Sequence, residues 1–346
     1  MFRRFWSIFS SDIAIDLGTA NILVLNKNQE ILTNEPSIVA MHRNHKGKDE
    51  ILAVGSKAKE MLGKTPDSIR AIRPLKDGVI ADFETTELMM RYFIEKVHNR
   101  KSFLSPRMVI CVPYEVTRVE RRAIEDAAYN AGARFVYLIE EPMAAAIGAG
   151  LNVEVAQGNL VVDIGGGTTE IGITSLGGIV ASTSLRVGGN KLDQDIIDYI
   201  KKNFNLHIGE RTAENLKIEL GTAINSSKVQ KKTVSGRDTT NGTVVSIEVT
   251  SQDIRKAIEN SLEDLAHALE NIIGKCPPEL AGDIIDNGIV LTGGGALIGD
   301  LDTYLSDITK VNVRIAQDPL LCVAKGSAKV LQQIDMLQKI AKQDRH

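Results

Sequence analysis

The sequence predicts an α/β protein made of two domains of similar design. Three observations carry this reading. Apolar strand-like runs alternate with helix-like stretches along the chain. A hydrophobic strand leading through an aspartate into a Gly/Thr turn occurs twice, at Asp16 and at Asp163. A third strand runs into Gly293, Gly294 and Gly295. At 346 residues the chain also exceeds what one hydrophobic core usually serves.

The first nine residues stand apart. In a chain with only 4% aromatic residues, Phe2, Phe5, Phe9 and the single tryptophan, Trp6, all fall here. At about 100° per helical residue these rings share one sector of about 100°, with Arg3, Arg4 and Ser7 opposite. Residues 1–9 therefore read as an amphipathic membrane-binding segment. Its rings enter the acyl boundary, and its arginines meet anionic headgroups at about 1 kcal/mol each. A helix this short forms on binding rather than in water.

Residues 13–17 and 22–25 read as successive strands around the turn Gly18, Thr19, Ala20 and Asn21. Residues 108–112 form a buried strand that stops at Pro113, and 118–131 form a helix ended by Gly132. The pattern of the first turn returns with a strand over 160–164, the turn Gly165, Gly166, Gly167 and Thr168, and a strand over 170–174. Residues 226–243, rich in Ser, Thr, Lys and Gly, read as hairpins or loops of a peripheral subdomain. A strand over 288–292 precedes the third turn.

Composition excludes several functions. A net charge of −3 supplies no basic face, so nucleic acid is not an expected partner. Cys111, Cys276 and Cys322 lie far apart, which fits neither a zinc site nor a disulfide framework, and reads as free thiols in a reducing cytoplasm. No apolar run approaches the ~20 residues of a membrane span. The opening stretch, broken by Arg3 and Arg4, has no small-residue cleavage site behind it. The expected location is cytoplasmic.

The turns themselves imply a ligand. A phosphate needs backbone N–H donors at close range, and glycine permits the approach because it lacks a Cβ. Threonine adds a hydroxyl donor. A carboxylate at the strand end repels a bare phosphate but suits a hydrated magnesium ion. Turns of this kind predict a polyphosphate held with Mg²⁺ between Asp16 and Asp163. Neither a P-loop GxxxxGK[ST] nor a dinucleotide GxGxxG motif occurs.

These motifs, in this order, resemble those of the actin, sugar-kinase and heat-shock-chaperone ATPase superfamily, and most closely the bacterial actin homologues of the MreB family. Residues 16–21 resemble the first phosphate motif, 163–170 the second and 292–296 the adenosine motif. Residues 139–148 resemble the connecting helix between domains, and 34–37, 73–82 and 211–217 fit as well. The resemblance runs from about residue 10 to residue 333. Tyr114 and Glu115 depart from the small residues usual there, and Asn190 stands where an aspartate is common.

The resemblance implies an actin-like two-domain ATPase fold: duplicated ribonuclease-H-like domains, each a mixed five-stranded sheet with a small subdomain, and nucleotide in the interdomain cleft. Domain I is expected over 10–150 plus 317–346, with subdomain IB at about 38–73. Domain II is expected over 151–316, with subdomain IIB at about 188–252. The implied cofactors are ATP and Mg²⁺. Asp16 and Asp163 would serve the metal, and the first two turns, with Thr168, the phosphates. Glu214, Asn215, Leu216 and Lys217 would border the nucleoside together with Gly293, Gly294, Gly295 and Ala296. The spacing of Glu214 and Lys217 is equally that of a surface ion pair.

Glu141 is implied to orient the attacking water with help from Thr168, and Glu140 is the second choice. A glutamate at a helix start also stabilises the helix dipole. Phe103 and Leu104, in a polar loop, are implied to form a second membrane contact.

The function expected from the resemblance is a cell-shape-determining cytoskeletal ATPase. It would polymerise head to tail on the inner face of the cell membrane and guide cell-wall synthesis and rod shape. Its expected partners are copies of itself, inner-membrane lipids and the membrane proteins of cell-wall elongation. The alternative is a superfamily ATPase without polymerisation. The chaperone form is disfavoured because the chain ends near the ATPase core, and the small-molecule kinase form because no aspartate stands out as its base.

Overall fold

The computed structural model describes residues 12–43, 49–97, 105–225 and 228–333. The membrane contacts expected at Phe2, Phe5, Trp6, Phe9, Phe103 and Leu104 lie outside the described residues. The chain divides into two compact units. The first takes the residues up to Val155, Ser175–Ile179 and those from Leu321, and the second takes Ala156–Thr174 and Val180–Leu320.

In the first unit β1 (Ile13–Leu17), β2 (Asn21–Asn26) and β3 (Ile31–Pro36) form an antiparallel meander. The small strands β4 (Val39–Arg43), β5 (Asp49–Val54) and β6 (Ile69–Ile72) make a separate sheet flanked by helix α1 (Ser56–Met61). β7 (Leu75–Lys76) and β8 (Val79–Ile80) form a ribbon that leads into α2 (Phe83–Val97). After these come β9 (Arg107–Val112), α3 (Arg118–Asn130), β10 (Phe135–Glu140) and α4 (Glu141–Gly148). β9 runs parallel to β1 and β10 parallel to β9, giving a five-stranded sheet of order β10-β9-β1-β2-β3.

Alternation along the strands sets the two faces of this sheet. Ile13, Ile15, Ile22 and Val24 pack with Met108, Ile110, Met89 and Phe93 in the main core of the unit. Ala14, Leu23 and Leu25 face the other way, onto Ala324 and Ala328 of α11 (Cys322–Gln332). The start of α3 is fixed by a capping box. Thr117 Oγ1 accepts from Glu120 N at 3.2 Å, and the Glu120 carboxylate accepts from Thr117 N at 2.8 Å. Such a cap contributes about 1 kcal/mol.

The second unit repeats the plan. β11 (Asn159–Ile164) pairs antiparallel with β12 (Thr169–Ser175), and β13 (Gly178–Leu185) lies beside β12. Helix α5 (Gly189–Phe204), β14 (Leu206–His207), α6 (Glu210–Leu220), β15 (Lys231–Asp238) and β16 (Val244–Thr250) follow. Then come α7 (Ser251–Ala257), α8 (Glu259–Gly274), α9 (Pro278–Asn287), β17 (Ile289–Thr292), α10 (Leu301–Thr309) and β18 (Val313–Ile315). β17 is parallel to β11 and β18 to β17, so the order β13-β12-β11-β17-β18 is the first sheet's order with the corresponding strands in the corresponding places. The duplication read from the two Asp–Gly turns is thus a duplication of sheet topology.

Leu160, Val162, Ile164, Ile171 and Ile173 form one face of this sheet, and α5 and α8 cover it with Ile196, Ile200, Leu265 and Leu269. The polar stretch at 226–243 contains the first strand of a hairpin, β15–β16, whose second strand runs on to Thr250. Its tip is an Asx turn in which Asp238 Oδ1 accepts from Thr240 N at 2.7 Å.

Candidate functional site

Within the first unit, Asp16 and Glu141 lie at the carboxyl ends of the parallel strands β1 and β10, the edge where open α/β sheets collect ligands. Gly18, Thr19 and Ala20 form the tight connection from β1 to β2, and Asn21 opens β2 exposed. A Cβ on Gly18 would meet the Asn21 carbonyl at 2.7 Å, so the turn closes only with glycine.

Two motifs that carried no assigned role in the sequence hold this turn in place. Ser37 Oγ donates to Gly18 O at 2.5 Å, and Ser37 N to Ala20 O at 2.9 Å. The Gly78 amide donates to Thr19 Oγ1 at 2.9 Å and buries that hydroxyl. Segments 34–37 and 73–82 therefore support the first turn from behind.

Glu141 is the first residue of α4, directly before Pro142. Its neighbour Glu140 is buried and ion-paired with Arg121 at 2.6 Å, which commits that carboxylate to α3. Of the two glutamates, Glu141 is the better candidate for chemistry.

In the second unit Asp163 is buried on β11, and Thr292 of the adjacent strand β17 donates to its Oδ1 at 2.7 Å. Burial pushes the Asp163 carboxyl up to about 6, against the pull of that hydrogen bond. A carboxyl so poorly solvated gains from a cation.

The following turn is closed by Gly165 N donating to Thr168 O at 2.9 Å. It is also stitched to the start of α5. Gly189 N donates to Gly165 O at 2.9 Å, and Asn190 N to Gly166 O at 2.8 Å. Gly188, the residue before the helix, lies so close that its Cβ would meet the Gly165 carbonyl at 2.9 Å and the Gly166 and Gly167 backbones at 2.9 and 2.8 Å. The sequence reading missed this contact. Its signal was the Gly188-Gly189 pair ahead of an amphipathic run.

The third turn packs on the end of the same strand. Gly293 has φ +79°, and a Cβ there would meet the Ile164 carbonyl at 2.3 Å. A Cβ on Gly295 would meet Ile164 Cγ2 at 2.1 Å, and Ala296 is buried. The second and third turns are thus brought together at the carboxyl ends of β11 and β17.

Residues 214–217 lie on α6. Leu216 is a fully buried core residue, so its side chain serves packing, while Asn215 is exposed. Lys217 does not act as a plain surface cation. Its Nζ lies 2.8 Å from Asp193 Oδ1 and donates to Gly189 O at 2.8 Å, which ties α6 to the helix that supports the second turn. Burial raises the Asp193 carboxyl, Lys217 opposes this, and Glu214 and Glu210 add to it.

Among the described residues no group of three or more His, Cys, Asp or Glu is placed to hold a metal by itself. Magnesium does not require one, since it commonly keeps several waters and is held by one or two carboxylates plus substrate phosphates. The hard oxygen of Asp163, beside a glycine turn, fits that mode.

The MreB/Mbl protein family model matches residues 10–339. The cell shape-determining protein MreB of Escherichia coli strain K12 is 50% identical over 339 residues, covering 97% of each chain. Crystal structures of MreB 5 of Spiroplasma citri, bound to AMPPNP in one case and ADP in another, superpose with a TM-score of 0.89. They share 37% identity over 96% of this chain and 98% of theirs. The MamK double helical filament, at 21% identity and a TM-score of 0.78 over 93% of this chain and 99% of its own, shares the fold.

Proposed function

Because the chain belongs to the MreB/Mbl family and has its actin-like fold, we propose that it is a cell-shape-determining cytoskeletal ATPase. In this reading it binds ATP with magnesium and polymerises into filaments on the inner face of the cell membrane. The observation that supports it most is the duplicated sheet, each copy carrying an Asp–Gly turn at the carboxyl end of its first strand. Nucleotide-bound structures of a relative at 37% identity support the ligand.

The residues divide the work as follows. Gly18–Asn21 and Gly165–Thr168 offer backbone and hydroxyl donors to phosphate oxygens. Asp16 and Asp163 are the carboxylates for the hydrated magnesium, whose charge would offset that of the phosphates. Gly293–Ala296 and the polar residues Glu214, Asn215 and Lys217 border the nucleoside. Glu141 holds a water in line with the terminal phosphorus, and Thr168 helps position it. Positioning supplies most of the rate in such reactions.

Filament growth follows from a heterologous contact repeated without closure. Membrane attachment rests on the amphipathic pattern of residues 1–9 and on Phe103 and Leu104. Membrane proteins of cell-wall elongation are the proposed partners at that surface.

The test is electron microscopy of the purified chain on anionic liposomes with and without Mg-ATP. Filaments lying on lipid, lost when residues 1–9 are removed, are the expected result. Intact ATP binding without filaments at any concentration would replace the polymer with a non-polymerising ATPase.

A further inference from the structure

At one end of the first sheet, three parallel strands begin side by side. Arg107 of β9 is in register with Phe135 of β10, and Met108 with Ile13 of β1, which brings Asp12 next to Arg107. Asp12 Oδ1 accepts from the Arg107 amide at 3.1 Å, and Oδ2 from the guanidinium Nε at 3.0 Å. The Arg134 amide donates to Pro106 O at 2.9 Å and brings in the start of β10. Residues 1–11 lead directly into Asp12, so the chain enters the fold from that segment at this end.

The turn from α3 to β10 at this end carries exposed surface that the fold does not use. Phe135 is 50% exposed and Tyr129 46%, the two most exposed aromatic side chains among the described residues. They belong to one turn, because the Tyr129 hydroxyl accepts from Val136 N at 3.4 Å. The Arg134 guanidinium lies 5.5 Å from the centroid of the Phe135 ring. Nearby charges are matched: Arg107 with Asp12, and Arg91 with Glu87 at 2.6 Å. Arg134 has no carboxylate partner among the described residues.

Two rings and an unmatched arginine on one turn fit a lipid headgroup layer. Aromatic rings settle at the level where apolar and polar surroundings meet, and a guanidinium there meets lipid phosphates. We propose that the Tyr129–Phe135 turn is a further contact with an anionic bilayer, next to the point where residues 1–11 enter the fold. This rests on the membrane reading above and extends it to residues of the folded unit.

The full-length chain with Phe135→Trp and Trp6→Phe places its one tryptophan on this turn. Its emission is followed with Mg-ATP on phosphatidylcholine/phosphatidylglycerol vesicles whose acyl chains carry bromine. Emission quenched on vesicles is the expected result. Phe135→Ser, with an unchanged urea midpoint, should bind the same vesicles about tenfold less tightly. Co-sedimentation with vesicles but unquenched emission would overturn the contact and leave the membrane reading standing. A wild-type chain that does not sediment with these vesicles at all would remove both.

Discussion

Thr292 donates to Asp163 across adjacent parallel strands at 2.7 Å, and this bond accompanies a carboxyl that burial has pushed up to about 6. Thr292→Val keeps the shape of the side chain and removes the donor. A buried polar group left without its partner costs about 1–3 kcal/mol. Urea unfolding of the nucleotide-free chain should show a loss of that size. Mg-ATP should narrow the gap by giving the carboxylate a cation instead. Equal midpoints for variant and wild type would show that Thr292 does not hold Asp163.

Glu140 and Glu141 are adjacent in sequence but are predicted to fail in different ways. Glu141→Ala should leave ATP binding intact and slow phosphate release about 100-fold, the effect of a displaced water. Glu140→Ala strips Arg121 of its 2.6 Å partner and should cost up to about 3 kcal/mol of stability. Single-turnover phosphate release, read beside nucleotide affinity, separates them. If Glu141→Ala releases phosphate at the wild-type rate, the water-positioning role is lost.

The sequence disclosed β1, β2, β9, β11, β12 and β17 because they are largely apolar runs, and it disclosed the turns because closely approached backbone demands glycine. It did not pick out β3, β10, β13 and β18, the outer strands of the two sheets. Its blind spot was support at long range. Ser37 and Gly78, which hold the first turn, lie 19 and 59 residues from their partners in it. Nothing local in Asn34–Ser37 signals that contact. Gly188 was missed for the same reason, since its close approach to the Gly165–Gly167 backbone exists only once α5 has folded back onto the loop. Leu216 shows a limit of another kind. Its place inside a motif drew it into the candidate site, while its apolar side chain belongs to the core face of α6.

Gly326 and Gly282 are both helical glycines, yet alanine should act on them with opposite signs. A Cβ on Gly326 would lie 1.9 Å from the Ala144 carbonyl, and one on Gly148 1.8 Å from the Cys322 carbonyl. The backbones of α4 and α11 therefore touch, and neither can yield as a side chain would. Gly326→Ala should cost about 3 kcal/mol. A Cβ on Gly282 of α9 meets nothing within 4 Å. Gly282→Ala should stabilise by about 0.5–1 kcal/mol through helix propensity and reduced unfolded-state freedom. Thermal unfolding of both variants checks the contrast, and a tolerated Gly326→Ala would contradict the backbone contact.

Glu35 offers a pH-dependent test of how β3 is fastened to its surroundings. Its Oε2 accepts from Ser56 N at 2.9 Å and Ser56 Oγ at 2.7 Å, at the start of α1, and its Oε1 accepts from Lys96 Nζ of α2 at 2.8 Å. Burial acts to raise this carboxyl, but the bonds from Lys96 and Ser56 outweigh it and bring it down from 4.5 to about 2. A carboxyl lowered on folding stabilises the protein above its unfolded pKa, and that contribution fades as pH falls toward the folded value. Glu35→Gln keeps the shape and removes the charge. It should cost about 1 kcal/mol at pH 7, since the ion pair is partly solvated. The gap should shrink below pH 4.5 and close as the pH falls through about 2, where the wild-type carboxyl itself takes up its proton in the folded state. Other carboxylates titrate in the same range, but they do so equally in both chains and drop out of the difference. Urea unfolding at pH 7, 4 and 2.5 reads it directly. A gap that stays constant over this window would mean that Glu35 contributes shape alone and that its charge does not hold α1 and α2 to β3.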